Sequence, residues 1–151
     1  MRTIVTVCIG NICRSPMAQG LMREALPEIQ VESAGIGALI GSPAAEEAVD
    51  LMRERGIDLK AHVARQISLD ICRRADVILV MDVHQKEFLV KNYPFTQGKV
   101  FRIADNLKAD VPDPYRKGVS AFVESLELID AGVKSWVKRI NKINEYERQS
   151  K

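Results

Sequence analysis

The chain has 151 residues, 46% of them hydrophobic and 28% charged, and its 22 basic and 20 acidic residues leave a formal net charge of +2. That balance describes one ordinary globular domain over residues 1–151; it excludes a largely disordered chain and leaves no room for a second full-sized domain. The charges are interspersed, so no basic run exists to grip nucleic acid, and no apolar stretch reaches the roughly 18 residues of a membrane span.

Met1-Arg2-Thr3 leads straight into a strand-like run rather than a signal-peptide core, so a cytoplasmic location without membrane insertion is expected. Three cysteines are too few for a disulfide framework. With only His62 and His84 beside them, no zinc-ligand spacing arises, and neither a metal nor another cofactor is expected.

Residues 3–7 form a β-branched, almost continuously apolar run that ends at Cys8, the pattern of a strand buried on both faces of a parallel sheet. Gly10-Asn11 is turn-prone. Ser15-Pro16 reads as an N-cap with proline at the first helical position, and Ala18, Leu21, Met22, Ala25 and Leu26 then recur helically until Pro27. Residues 31–33 suggest a brief second strand, and Gly35, Gly37 and Gly41 make the next segment a loop able to line a site. Pro43 is expected to open a second helix that stops at Gly56. A shorter helix starts at Ser68-Leu69-Asp70. Residues 76–81 form the clearest remaining strand, residues 85–92 a short helix, and residues 98–101 a fourth strand. From Ser120 onward Phe122, Leu126, Ile129, Val133, Trp136, Ile140 and Ile143 mark one long helix with a single buried seam, which packs on the sheet in preference to pairing as a coiled coil. The alternation of strands and helices predicts one α/β unit with a mostly parallel sheet.

The segment Cys8-Ile9-Gly10-Asn11-Ile12-Cys13-Arg14-Ser15-Pro16 carries the chemistry. A Cys followed six positions later by Arg arises by chance about one time in four at this composition, and requiring the Ser after it lowers that to about one in a hundred. Position adds to spacing: the cysteine ends a strand and the loop enters a helix, where backbone N–H groups and the helix dipole attract a tetrahedral oxyanion. Arg14 supplies a planar fork for two phosphate oxygens, and the same positive field is expected to hold Cys8 as a thiolate nucleophile. Transfer of a phosphoryl group to sulfur also needs a proton for the departing oxygen. In Asp110-Val111-Pro112-Asp113-Pro114-Tyr115 two prolines flank Asp113 and restrict its backbone, which makes its carboxyl group the leading acid.

Together these segments resemble the low-molecular-weight protein tyrosine phosphatases over nearly the whole chain: the Cys8 loop, Ser33-Ala34-Gly35, Ala64-Arg65-Gln66-Ile67, Met81-Asp82 and Asp113-Pro114-Tyr115 occur in that family's order. The resemblance implies a three-layer α/β fold, a four-stranded parallel sheet with helices on both faces. It implies a phosphocysteine on Cys8, phosphate bound by Arg14 and by the loop residues Ile9, Gly10, Asn11, Ile12, Cys13 and Ser15, and acid then base catalysis by Asp113. Asn11 would shape the loop, Ser15 would donate a hydrogen bond to the sulfur, His62 would brace the loop, and Cys13 would protect Cys8 by forming a disulfide on oxidation.

Two departures narrow the resemblance. Leu39 stands where eukaryotic members place an aromatic beside the substrate ring, and Arg116-Lys117 follows Tyr115, the other wall of the cleft. These features look like the bacterial branch that acts with tyrosine autokinases of capsule and exopolysaccharide export, so the expected partner is a phosphotyrosine-containing protein of that kind. Arsenate reductases and protein arginine phosphatases share the loop. The former need additional resolving cysteines, whereas Cys72 sits among apolar neighbours, and the latter carry Thr where Ile12 stands. An anion-binding module without catalysis is the remaining alternative, disfavoured by the joint presence of Cys8, Arg14 and Asp113.

Overall fold

The computed structural model describes residues 1–150, so Lys151, the last residue of the expected domain, lies outside the described residues. Strands and helices alternate as β1 (Thr3–Cys8), α1 (Arg14–Ala25), β2 (Gln30–Gly35), α2 (Glu46–Glu54), α3 (Leu69–Arg74), β3 (Val77–Val80), α4 (Val83–Asn92), β4 (Val100–Arg102) and α5 (Val119–Gln149). The strands pair in parallel in the order β2-β1-β3-β4. Their apolar runs are continuous because both faces are covered. Ile4 and Cys8 of β1 and Val77 and Leu79 of β3 face a core that includes Met17 and Leu21 of α1 and Phe122, Ile129 and Trp136 of α5. The alternate residues Val5, Val7, Ile78 and Val80 face Ile71 and Cys72 of α3 and Leu89 of α4. Each such aliphatic side chain contributes about 1.5–3 kcal/mol on burial, so the two apolar layers fix the register of the sheet. The four-stranded parallel sheet with helices on both faces is the architecture expected from the sequence.

Several boundaries differ from those expectations. α1 begins at Arg14 with Cys13 at its N-cap and no side chain capping it, so Ser15 is not the cap. Its hydroxyl turns back to Cys8 and Asn11 instead. α2 begins three residues after Pro43 because Ala45 is held extended, its N–H donated to the Ile12 carbonyl. β2 runs from Gln30 to Gly35, longer than the three residues expected, and Gly35 closes it rather than opening a loop. The β4 strand is shifted towards Arg102. α5 outruns the sheet, so its seam ends at Ile140 and Ile143 is exposed.

After β1 the chain lays β2 on one side and β3 on the other. The carboxyl ends of β1 and β3 therefore flank the point where the winding reverses, and α/β sheets bind ligands in the crevice there. The Cys8 loop leaves β1 at this point and Met81-Asp82 leaves β3 beside it.

Candidate active site

The loop from Cys8 to Ser15 is held by its carbonyl groups. Those of Cys8, Ile9 and Gly10 accept from the backbone N–H groups of Ile36, Gly37 and Leu39, that of Asn11 from His62 Nε2 at 2.6 Å, and that of Ile12 from Ala45 N–H. In a planar trans peptide the following N–H points the opposite way, so carbonyls drawn outward turn the N–H groups of Gly10, Asn11, Ile12 and Cys13 inward. The one that finds a protein acceptor is Asn11 N–H, 3.3 Å from Cys8 Sγ. Gly35 permits this wrapping, because a Cβ there would collide with the Ile9 carbonyl.

Asn11 sits in the left-handed region at φ 57°, a conformation that asparagine tolerates better than most residues. Its buried amide is fully used. Oδ1 accepts from Arg65 N–H at 2.9 Å, which orients the group so that Nδ2 donates to Ser15 Oγ at 2.8 Å and to Ser33 Oγ at 3.0 Å. Ser33 in turn donates to Gln19 Oε1 at 2.7 Å. Ser15 Oγ accepts from Asn11 and lies 2.9 Å from Cys8 Sγ, so its own hydrogen is placed to be donated to an ionised sulfur. Two donors thus converge on a sulfur that is 2% exposed, an arrangement suited to an anionic sulfur.

Arg14 is 2% exposed, and a buried guanidinium needs compensation. It donates from one terminal nitrogen to the Val111 carbonyl at 2.8 Å. Asp82 and Asp113 stand 3.7 and 3.8 Å from its terminal nitrogens, close enough to neutralise but too far to hydrogen bond well. Nε is buried with no partner among the described residues. Asp82 is fixed by capping α4, where Oδ1 accepts from Gln85 N–H at 2.9 Å. Asp113 is placed by its loop: Val111 N–H donates to the Met81 carbonyl, Ser125 of α5 donates to the Pro112 carbonyl at 2.7 Å, and Asp113 Oδ1 accepts from Tyr115 N–H at 3.1 Å.

Cys8, Arg14 and Asp113 line one cavity of about 160 Å³ together with Ile9, Gly10, Ile12, Cys13, Gly37, Leu39 and Tyr115. Leu39 and Tyr115 stand at its mouth, 45% and 38% exposed. Burial, followed by the charges of Cys8 and Asp113, pushes the Cys13 thiol up to about 12, with Arg14 offsetting part of the rise. Cys13 therefore stays protonated at neutral pH. His62 is drawn below its ordinary value chiefly by burial, against the hydrogen bond to Asn11, with Arg23 and Arg65 adding to the lowering. It is a neutral donor to the loop. Cys72 of α3 lies wholly buried in the core, and burial pushes its thiol up as well.

The sequence reasoning assigned no role to Asp82, Ser33, Gln19, Arg65 or Ser125. Asp82 was detectable, since an Asp followed three residues later by Gln is a helix N-terminus signature. The others act through backbone carbonyls and a shared amide, for which residue type gives no warning.

Residues 3–146 match the family model described as low molecular weight phosphotyrosine protein phosphatase. The chain is 51% identical over 140 residues to the probable low molecular weight protein-tyrosine-phosphatase EpsP of Ralstonia nicotianae, covering 93% of this chain and 97% of the relative. Among solved structures it is similar to Vibrio vulnificus Wzb in complex with benzylphosphonate, with TM-score 0.88, 36% identity, and 91% and 98% of the two chains covered. It is also similar to the YwlE arginine phosphatase from Geobacillus stearothermophilus, with TM-score 0.90, 26% identity and 97% of each chain covered. A sulfur-centred anion cradle at the switch point of a four-stranded parallel sheet, in a chain matched almost end to end, places this protein in the low-molecular-weight phosphotyrosine protein phosphatase family.

Proposed function

We propose that Cys8, Arg14 and Asp113 hydrolyse phosphotyrosine in proteins in two steps. The observation that carries the assignment is the pairing, in one cavity, of a sulfur hydrogen-bonded to Ser15 Oγ and Asn11 N–H with a buried arginine whose Nε has no partner among the described residues. Phosphate oxygens held by Arg14 and the inward N–H groups would satisfy donors that the fold leaves open. Cys8 Sγ attacks phosphorus in line, the S–P bond forms as the P–O bond to the ring breaks, and the Asp113 carboxyl group protonates the departing phenolate. Asp113, now a carboxylate, takes a proton from water. The water oxygen bonds to phosphorus, the S–P bond breaks, and the hydrogen bond from Ser15 receives the returning thiolate.

Asn11, Ser15 and His62 act as positioning residues, and Leu39 and Tyr115 form the walls against which the substrate ring packs. The apolar Ile12 side chain in the lining supports an aryl ester over a phosphoguanidine, and the distant Cys72 supplies no resolving thiol for an arsenate adduct. The resemblance of residues 35–41 and 115–117 to the bacterial branch supports a tyrosine autokinase, or a related protein of polysaccharide export, as the cytoplasmic substrate. No helix among the described residues is long and apolar enough to cross a membrane. The test is hydrolysis of phosphotyrosine, phosphoserine and phosphoarginine peptides by the wild type and Cys8→Ser. Preference for phosphotyrosine, abolished by the substitution, is expected. Preference for phosphoarginine would overturn the substrate class, and activity retained in Cys8→Ser would overturn the mechanism.

A further inference from the structure

The mouth of the cavity is chemically divided. On one side stands Leu39, 45% exposed. On the other, beyond Tyr115, come two cations in succession, Arg116 and Lys117, and neither forms an ion pair among the described residues. The turn that presents them is closed by Lys117 N–H donating to the Pro114 carbonyl at 3.0 Å. Arg116 occupies its third position at φ 59°, where glycine is at ease and a residue with a Cβ is strained. Its guanidinium lies over the Tyr115 ring, 5.1 Å from the centroid, so the charge is held at the rim and not dispersed into solvent. A strained backbone holding a cation, unpaired among the described residues, against the lining residue Tyr115 is a feature that the chemistry at phosphorus does not use.

We propose that Arg116, supported by Lys117, is the subsite for the residue flanking phosphotyrosine and selects an acidic side chain, Asp or Glu, at that place. The inference rests on the phosphotyrosine reading of the cavity. With the ring seated against Tyr115, a neighbouring residue of the same peptide passes the guanidinium, and a carboxylate there finds a planar donor fork with no competing protein acceptor. An exposed pair of this kind changes affinity about two- to fivefold per charge, and it weakens with salt.

The experiment compares kcat/KM for three phosphotyrosine peptides, with glutamates before the phosphotyrosine, glutamates after it, or lysines in both places, and uses p-nitrophenyl phosphate as a reference without flanks. One of the two acidic peptides is expected to exceed the lysine peptide about tenfold, through KM. That ratio is expected to shrink in Arg116→Ala and Arg116→Gly, recover in Arg116→Lys, and fall as salt is raised. Equal rates for all three peptides in the wild type overturn the subsite and leave the phosphatase intact. An equal loss on p-nitrophenyl phosphate in Arg116→Ala overturns it by placing Arg116 in the chemistry or the fold. Hydrolysis of p-nitrophenyl phosphate with no cleavage of any peptide overturns the phosphotyrosine-protein reading as well.

Discussion

Ser15→Ala isolates the hydrogen bond proposed to activate Cys8 as nucleophile. The hydroxyl is wholly buried, lies 2.9 Å from Cys8 Sγ with its hydrogen free to be donated to a thiolate there, and accepts from Asn11 Nδ2 at 2.8 Å. A hydrogen bond to a charged acceptor contributes about 1.5–3 kcal/mol, so its loss should slow attack by the sulfur about tenfold to a hundredfold, with Asn11 N–H still in place. The orphaned Asn11 donor costs about 1–3 kcal/mol of stability, roughly 3–10 °C in melting temperature for a chain of this size. Ser33→Ala is the matching control: it removes the other acceptor of Asn11 Nδ2, and so costs similar stability, but leaves the donor to sulfur untouched. Iodoacetate alkylation of Cys8 at neutral pH and kcat on p-nitrophenyl phosphate read the rate, and thermal denaturation reads the fold. Alkylation of Ser15→Ala at the wild-type rate, or equal slowing in the two variants, would refute the idea that Ser15 acts on the sulfur directly.

Asp113→Asn should lower kcat most for esters with poor leaving groups, by about 10²–10³, and far less for good ones; a series of substituted phenyl phosphates checks this, and uniform slowing removes Asp113 from the acid role. Glu32 receives hydrogen bonds from Arg65 and Arg74 at 2.7 and 2.6 Å, which outweigh burial and hold its carboxyl below the usual value of 4.5. A lowered carboxyl group stabilises the fold above its unfolded value, and that contribution disappears as pH falls through the folded one. Glu32→Gln should therefore melt lower than the wild type at pH 7, with the gap closing on acidification below pH 4, and a gap that is constant with pH would contradict the pairing. With Cys13 pushed up to about 12, neutral iodoacetamide should label Cys8 first. In unalkylated protein, peroxide should convert Cys8 to the sulfenic acid, whose sulfur Cys13 attacks to form a disulfide with loss of water, and mass spectrometry finding no Cys8–Cys13 crosslink would exclude that protection.

The sheet was legible because apolar runs such as residues 77–81 are buried on both faces, and the periodicity of α5 was legible as far as Ile140, beyond which the pattern ceases to report burial. Helix starts were less so. Ser15-Pro16 has the composition of a cap, but no side chain caps the first-turn N–H groups of α1, and Ser15 is drawn to the sulfur. Cys8, Arg14 and Asp113 could be singled out because each has the reactive or charged group that the proposed chemistry requires. The scaffold behind them could not be, because Ser33, Gln19, Arg65 and Ser125 are ordinary polar residues whose partners come from distant parts of the chain.

The loop that holds Leu39, proposed as a cleft wall, is tied down through its own main-chain atoms, with Gly37 and Leu39 N–H donated to the Ile9 and Gly10 carbonyls and the Gln66 side chain clasping the backbone of Ile36 and Ala38. None of these bonds involves the side chain at position 39. Mutation can therefore try larger, smaller or polar groups at that place while the reaction centre keeps its dimensions, which makes substrate preference cheap to alter during divergence and the hydrolytic step hard to lose.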